Sequence, residues 1–178
     1  MAIGVAIAYD WLYYDLDYDT RLMVRKALSK YGVDTALNNS SGKSATQTTK
    51  NNWNSVCNGG IVAAAIATYP QDKANAAQVI ENALKSNAVA VEQMYSPDGN
   101  YGEGYGYWEY GTSYQVCLNE LLLKAFGNDH GLSAINGFMK TGEFMLFMGS
   151  ACGGNFSYAD GGSTGEAMNI PMWWFAAN

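Results

Sequence analysis

Apolar residues recur every three or four positions through most of this 178-residue chain, and almost no stretch alternates apolar with polar residues. This spacing is typical of helices with one buried face. It predicts seven helices joined by short links, over residues 2–14, 20–31, 53–69, 73–95, 108 or 112 to 126, 132–148 and 166–176. We therefore expect an all-α fold of antiparallel helical hairpins, in a single domain of residues 1–178.

Residues that begin or end helices occur where this pattern starts and stops. Asn51 or Asn52 can cap the third helix and Asp72 the fourth, because a short polar side chain accepts hydrogen bonds from free backbone N–H groups. Gly32 and Gly127 lie where the second and fifth helices are expected to end, since glycine adopts the left-handed conformation common at helix C-termini. The polar segment 38–50 lacks a helical period and is expected to be a loop.

The segment 96–114, SPDGNYGEGYGYWEYGTSY, interrupts the helical pattern with a high density of glycine and tyrosine. Glycine lets backbone approach a ligand or other backbone closely, and tyrosine offers an apolar face with a polar tip. The acids Asp98, Glu103 and Glu109 lie in the same segment. Such a composition is typical either of a packed turn or of a loop that binds sugar or catalyses a reaction. The convergence of hydroxyl and carboxyl groups favours the second interpretation.

Three segments are unusually polar for a helical protein: 38–54, 96–111 and 149–165. They precede the third, fifth and seventh predicted helices. Alternate connections of an up-and-down array lie at the same end, so we expect the three segments to meet. This predicts a single site, assembled from Asn51, Asn52, Asn54, Glu103, Tyr107 and Asp160.

Composition excludes some classes of function. The net charge of −6 argues against general nucleic-acid binding, which needs a basic surface. No apolar run reaches the roughly 18 residues expected of a membrane span, so no membrane association is expected. The histidine, cysteines and acids lack metal-ligand spacing, so we expect no metal and no other cofactor. The cysteines are expected to be buried thiols, since their number is odd and their spacing shows no framework.

Three segments resemble the heparinase II/III-like polysaccharide lyases. They are NNWNSVCNGG at 51–60, the Gly/Tyr segment at 96–114 and FSYADGG at 156–162, in the family's order and at comparable spacing. The final PMWWFAA is similar to the helix that follows in the family. The resemblance implies an incomplete (α/α) toroid. It also implies β-elimination on an acidic, uronic-acid-containing polysaccharide, such as a glycosaminoglycan or alginate.

The resemblance further implies roles for individual residues. In this chemistry a base removes the C5 proton, and a polar group neutralises the adjacent carboxylate as charge moves onto it. Asn52 is the first choice for the neutralising asparagine, with Asn51 and Asn54 as alternatives, and Tyr107 best matches the tyrosine that acts as base and acid. Lys43 and Lys50 are the cations nearest to these asparagines in the sequence, and either could lower the pKa of the tyrosine or bind the uronate. The other residues expected to bind substrate are Asn51, Asn54, Lys50, Glu103, Tyr105, Trp108 and Asp160.

The chain departs from the family's pattern in its histidine. Family members usually carry a histidine in the site, whereas this chain has only His130, in a turn, and Phe147 lies where the histidine is expected. Two alternatives stay open. One is a non-catalytic carbohydrate-binding or scaffold toroid, in which sugar stacks on Trp108 and the tyrosines. The other is a glycoside hydrolase that uses Glu103 and Glu109 as acid and base.

Both ends of the chain are apolar and abrupt. We expect the chain to be a fragment of a larger toroid, with apolar surface around the first and last helices that is exposed or buried in a homodimer. The opening residues lack the basic segment of a signal peptide. The resemblance implies that the parent protein is periplasmic or secreted.

Overall fold

The computed structural model describes residues 1–39, 47–160 and 170–178, except for the side chain of Asn39. These residues are folded mainly into α-helices, which confirms the predicted all-α class. The helices are α1 Ala2–Trp11, α2 Tyr18–Leu28, α3 Thr35–Asn39, α4 Asn52–Thr68, α5 Lys73–Tyr95, α6 Tyr105–Phe126, α7 Thr141–Met148 and α8 Ile170–Ala177. Gly149 and Asn155 form an isolated antiparallel bridge.

Most of the helix boundary signals are confirmed. The Asn51 side chain caps α4 by accepting a hydrogen bond from the Trp53 amide, and Asp72 caps α5 through the Asn75 amide. Gly127 ends α6 in the left-handed conformation, with φ of 78°. α6 begins at Tyr105, before both predicted starts, directly after Gly104 with its φ of 92°.

The prediction that Gly32 ends the second helix is wrong. A π-helical segment, Ser29–Asp34, joins α2 directly to α3, and Gly32 lies buried within it. A Cβ atom on Gly32 would lie 2.6 Å from the Cβ of Ala64, so glycine serves close helix approach here. The helix consequently continues through Asn38 and Asn39, which had been expected in a loop.

The chain between α6 and α8 also differs from prediction. Residues 132–140 form successive turns instead of helix, and α7 begins only at Thr141. Gly137 has a φ of 86°, and a Cβ atom there would collide with the carbonyl group of Tyr95. The chain therefore turns where it packs against the end of α5. Residues 166–169 of the last predicted helix lie outside the described residues.

α4, α5 and α6 form an up-down-up arrangement of two antiparallel hairpins. Asn87 near the middle of α5 bonds to Asn54 on α4 and to Gln115 on α6. Ser55 on α4 bonds to Gln115, and Gly59 lies against Leu118, so α4 and α6 run parallel. The amino-terminal ends of α4 and α6 therefore lie at the same end of the molecule.

Two further expectations concern membranes and thiols. No helix in the described ranges is both long enough and apolar enough to cross a membrane. No disulfide joins Cys57, Cys117 or Cys152, all of which lie in the described residues, and Cys57 and Cys117 are half-buried. Cys152 is exposed, so the expectation of buried thiols is wrong for this residue, which follows the bridge residue Gly149 in a surface turn.

Candidate functional site

The polar segments before α4 and α6 meet through Asn52 and Glu103. The backbone amide of Asn52 donates to Glu103 Oε2 at 2.7 Å, and its side-chain Nδ2 donates to Oε1 at 2.9 Å. Glu103 thus binds the first turn of α4 from the loop that leads into α6. A carboxylate at a helix amino terminus is stabilised by the free N–H groups and by the helix dipole. The expected contact between these two segments is therefore present.

Gly111 makes this approach possible. A Cβ atom at Gly111 would lie 2.9 Å from the Cβ of Asn52 and 2.7 Å from the Tyr101 hydroxyl. Any larger side chain would push α4 away from α6 at this point, because contacts below 3 Å do not occur without movement. The glycine therefore sets the distance between the Asn52 backbone and the second turn of α6.

The tyrosines of the segment 96–114 fall into a buried group and an exposed group. Tyr101 is 1% exposed, and its hydroxyl donates to Glu103 Oε2 at 3.2 Å. Burial raises the pKa of Tyr101 well above its ordinary value, and the nearby Tyr95 and Glu103 add to the effect. Burial likewise raises the pKa of Tyr95, against an opposing hydrogen bond with Thr112. Both side chains stay protonated near neutral pH and cannot serve as bases.

Tyr107 belongs to the second group. It lies in the first turn of α6 and is 37% exposed, so it is not one of the core residues. Tyr107 precedes Gly111 by four residues, and residues four apart share a helix face. Tyr110 is also exposed and its ring packs edge-on to that of Tyr114, with centroids 5.2 Å apart. The surface of α6 next to Asn52 thus carries accessible tyrosine.

Two proposed substrate-binding residues are buried and have structural roles. Trp108 is 0% exposed, and its Nε1 donates to the Thr141 hydroxyl at 2.7 Å, so it cannot stack on a sugar. Asn54 is equally buried, and its Nδ2 donates to the carbonyl oxygens of Gln47 and Thr49 and to the Ser86 hydroxyl. The prediction of substrate contacts is wrong for both. Both side chains are buried because each lies on a helix face that packs against neighbouring helices.

The remaining predicted residues lie around the Asn52–Glu103 pair or beyond it. Asn51 is half-buried and uses its side chain as the α4 cap, Lys50 is exposed, and Tyr105 is half-buried against the core. The Tyr158 hydroxyl donates to the carbonyl oxygen of Tyr101, which brings the third polar segment to the same end. Asp160, two residues later, is exposed. Lys43, Gly161 and Gly162 lie outside the described residues.

Sequence reasoning missed an exposed aromatic residue beside this pair. Trp53 is 49% exposed in the first turn of α4, immediately after Asn52. Its indole is available to a ligand in a way that the buried Trp108 indole is not. The signal was present in the sequence, because Trp53 is flanked by asparagines on both sides.

A buried amide network between α4, α5 and α6 was also missed. Gln115 exchanges two hydrogen bonds of 2.9 Å with Asn87, and Asn87 and Asn58 both donate to Asn54 Oδ1. Gln115 also donates to Asn119. Within the part of the chain that the structure describes, Asn52 Oδ1 and Asn119 Nδ2 are buried polar atoms without a hydrogen-bond partner. The network fixes the mutual register of the three helices.

Histidine and metal ligands do not gather at the Asn52–Glu103 pair in the described residues. His130 follows α6 and packs against Phe126, which lies 19 residues after Tyr107 and therefore roughly 28 Å further along the helix. Phe147 is exposed on α7. Residues 1–39, 47–160 and 170–178 contain no group of three His, Cys, Asp or Glu side chains placed to hold a metal ion.

Comparison with known proteins does not assign the chain to a family. No family model matches it, and no curated protein gives a significant match. The resemblance to heparinase II/III-like lyases therefore depends on the three segments quoted above, and the activity it implies is a hypothesis.

Proposed function

We propose that this chain is the helical domain of a polysaccharide lyase that acts by β-elimination on uronic-acid-containing polysaccharides. One observation carries the proposal. The amino-terminal ends of the parallel helices α4 and α6 lie together, Glu103 binds Asn52, and Asn52 lies against Gly111, which follows Tyr107 by one helical turn. In this proposal Asn52 neutralises the uronate carboxylate, and Tyr107 transfers the proton.

The position of Tyr107 supports a role in proton transfer. α6 is 22 residues long and begins without a side-chain cap, so the positive end of its dipole lies at its first turn. Tyr107 lies in that turn with an accessible side chain. Positive potential at this point favours a substrate carboxylate and the negative charge that develops on it during elimination.

The Asn52 amide is held in one orientation. Nδ2 carries two hydrogens, and the bond to Glu103 uses one of them. The carbonyl oxygen Oδ1 has no partner among the described residues. Asn52 is only 3% exposed, so a substrate must displace part of the surrounding chain before it reaches the amide; an acceptor with a hydroxyl donor, as in a uronate with a neighbouring hydroxyl, would then satisfy it.

A second candidate is a non-catalytic carbohydrate-binding domain. Glu103 supports it, because a carboxylate beside Asn52 opposes the binding of a uronate carboxylate there. Trp53, Tyr107 and Tyr110 offer exposed aromatic faces for sugar. The hydrolase alternative has less support, since both oxygens of Glu103 accept hydrogen bonds from Asn52.

The test is incubation of the chain with a panel of uronic-acid polysaccharides, including alginate, heparan sulfate and chondroitin sulfate. Elimination produces an unsaturated uronate that absorbs in the ultraviolet, whereas hydrolysis produces reducing ends without that absorbance. Tyr107→Phe should lower the elimination rate by about 10²–10⁴-fold, the usual contribution of a proton-transfer group. Tyr110→Phe is the matched control and should leave the rate within a few-fold.

Each other outcome has a defined meaning. Saturable binding without cleavage would favour the second candidate, and new reducing ends without absorbance would favour hydrolysis. Equal rate losses in the two tyrosine variants would remove Tyr107 from the mechanism. The proposal includes the incomplete (α/α) toroid for the domain and a periplasmic or secreted location for the parent protein.

A further inference from the structure

A cavity lies well away from the Asn52–Glu103 pair, beside the carboxy-terminal half of α6. Its volume is about 520 Å³, and its lining includes Asn119, Glu120, Asp129, Ala134 and Trp174. Small-molecule sites commonly have volumes of roughly 300–1,000 Å³. Asn119 follows Gly111 by eight residues, which places it about 12 Å further along the helix. The cavity is therefore a separate place on the molecule.

Asn119 gives this cavity an unused hydrogen-bond donor. The residue is 2% exposed, and its Oδ1 accepts from Gln115 Nε2 at 3.0 Å. Its Nδ2 has no partner among the described residues. A buried N–H group without an acceptor costs about 1–3 kcal/mol, so such groups normally meet water or a ligand. Asn119 lies in the lining of the cavity, so a ligand that enters there is the nearest source of an acceptor for Nδ2.

The charge at this cavity is negative. Trp174 Nε1 donates to Glu120 Oε1 at 2.9 Å, which fixes the carboxylate at the cavity wall. Asp129 accepts from the amides of Gly131 and Ser133. Burial alone would raise the pKa of Asp129, but hydrogen bonds from Ser133 and Gly131 hold it below its ordinary value, so the group is ionised. The described lining contains no lysine or arginine.

This combination selects a class of ligand. A hydroxyl group can accept from Asn119 Nδ2 and donate to the Glu120 carboxylate, whereas an anion would be repelled by both acids. The Trp174 indole adds an apolar surface beside them. We propose that this cavity binds a small non-anionic ligand with neighbouring hydroxyl groups, as in a neutral or amino sugar, through Asn119 and Glu120. The proposal does not depend on the activity proposed for the Asn52–Glu103 pair.

Nuclear magnetic resonance of ¹⁵N-labelled protein tests the proposal directly. The Trp174 indole N–H, which donates to Glu120, is the reporter, and Trp174→Phe assigns its signal. Glucose, glucosamine and glucuronate are titrated separately. Glucose or glucosamine should shift the signal to saturation, whereas glucuronate should not. Comparison of the glucose and glucosamine titrations shows whether the site prefers a neutral or a cationic sugar. The absence of a saturable shift with both, or an equal shift with glucuronate, would overturn the proposal.

Two variants locate the binding, and a third is the control. Glu120→Gln retains an acceptor for Trp174 but removes the charge, and should weaken binding at least about tenfold, as for loss of a hydrogen bond to a charged group. Ala134→Phe fills the cavity from an exposed position, and should abolish binding without replacing a buried residue. Ala74→Phe, exposed on α5, should bind as the unmodified chain does. Unchanged binding in the Glu120 and Ala134 variants would also overturn the proposal.

Discussion

Tyr101 and Tyr107 lie six residues apart but in opposite environments, and Glu103 between them connects the difference to Asn52. Tyr101 is buried and donates to Glu103, whereas Tyr107 is accessible on the first turn of α6. Glu103 in turn accepts from the backbone and side chain of Asn52. A single carboxylate therefore joins a core tyrosine to the first turn of α4. Its removal should lower the free energy of unfolding as well as weaken ligand binding.

Glu103→Ala should lower the free energy of unfolding by about 2 kcal/mol, because hydrogen bonds to a charged group are lost and the Asn52 donors lose their acceptor. Urea denaturation followed by circular dichroism measures this change. Glu92→Ala is the matched control, since Glu92 is exposed on α5, and should change stability by less than about 0.5 kcal/mol. Equal effects of the two substitutions would show that the Glu103 contacts contribute nothing in solution.

At the scale of the helices, the buried amides decide how α4, α5 and α6 fit together. Asn87 shares two hydrogen bonds with Gln115 and a third with Asn54, all in the interior. Asn87→Ala should therefore lower the free energy of unfolding by about 1–3 kcal/mol for each group left unsatisfied. Asn82→Ala removes a surface bond to Gln78 on the same helix and should cost less than about 0.5 kcal/mol. Similar midpoints in urea for both variants would contradict this account.

The turn after α6 should make a small, pH-dependent contribution to stability. Hydrogen bonds from Ser133 and Gly131 outweigh burial and hold the pKa of Asp129 below its ordinary value of 3.8. A carboxyl with a lowered pKa in the folded state adds stability above its unfolded pKa, and loses it as pH falls through the folded pKa. The stability difference between the unmodified chain and Asp129→Asn should be constant near neutral pH and shrink below about pH 4. A stability difference that grows as the pH falls would contradict the lowered pKa of Asp129.

How far the sequence predicted these elements depends on the range of the interaction that fixes each one. The caps Asn51 and Asp72 and the terminator Gly127 act within one helical turn, and local sequence predicted them. Gly32 looked like a terminator, but its role is contact with Ala64, which lies 32 positions later. Trp108 and Asn54 have polar atoms and lie in polar segments, yet their helix faces point inward. Local composition carries no information about a neighbouring helix.

At the scale of the whole molecule, apolar side chains are exposed where the sequence predicted them. Trp11 on α1 is 79% exposed and Trp173 on α8 is 65% exposed. Beside Trp11, a groove of about 620 Å³ runs between α1, α4 and α6, with a mainly apolar lining that includes Ile7, Ile66 and Leu121. Exposed apolar surface of this kind, rimmed by polar residues, commonly marks an interface with another protein. A second copy of the chain is the occupant that we propose for this surface.

Burial of the Trp11 side chain against a second copy should appear as concentration-dependent dimerisation in sedimentation equilibrium. Covering an aromatic side chain contributes about 2–3 kcal/mol, or roughly a hundredfold in the dissociation constant. Trp11→Ser should therefore shift the equilibrium strongly towards monomer while leaving the thermal unfolding of the monomer nearly unchanged, because the indole makes few contacts within its own chain. Trp53→Ser is the control, since Trp53 is also exposed but lies at the opposite end of α4 from the groove. Dimerisation that survives Trp11→Ser, or is lost only with Trp53→Ser, would place the dimer contact on another surface. A chain that stays monomeric at every concentration would contradict the proposed dimer.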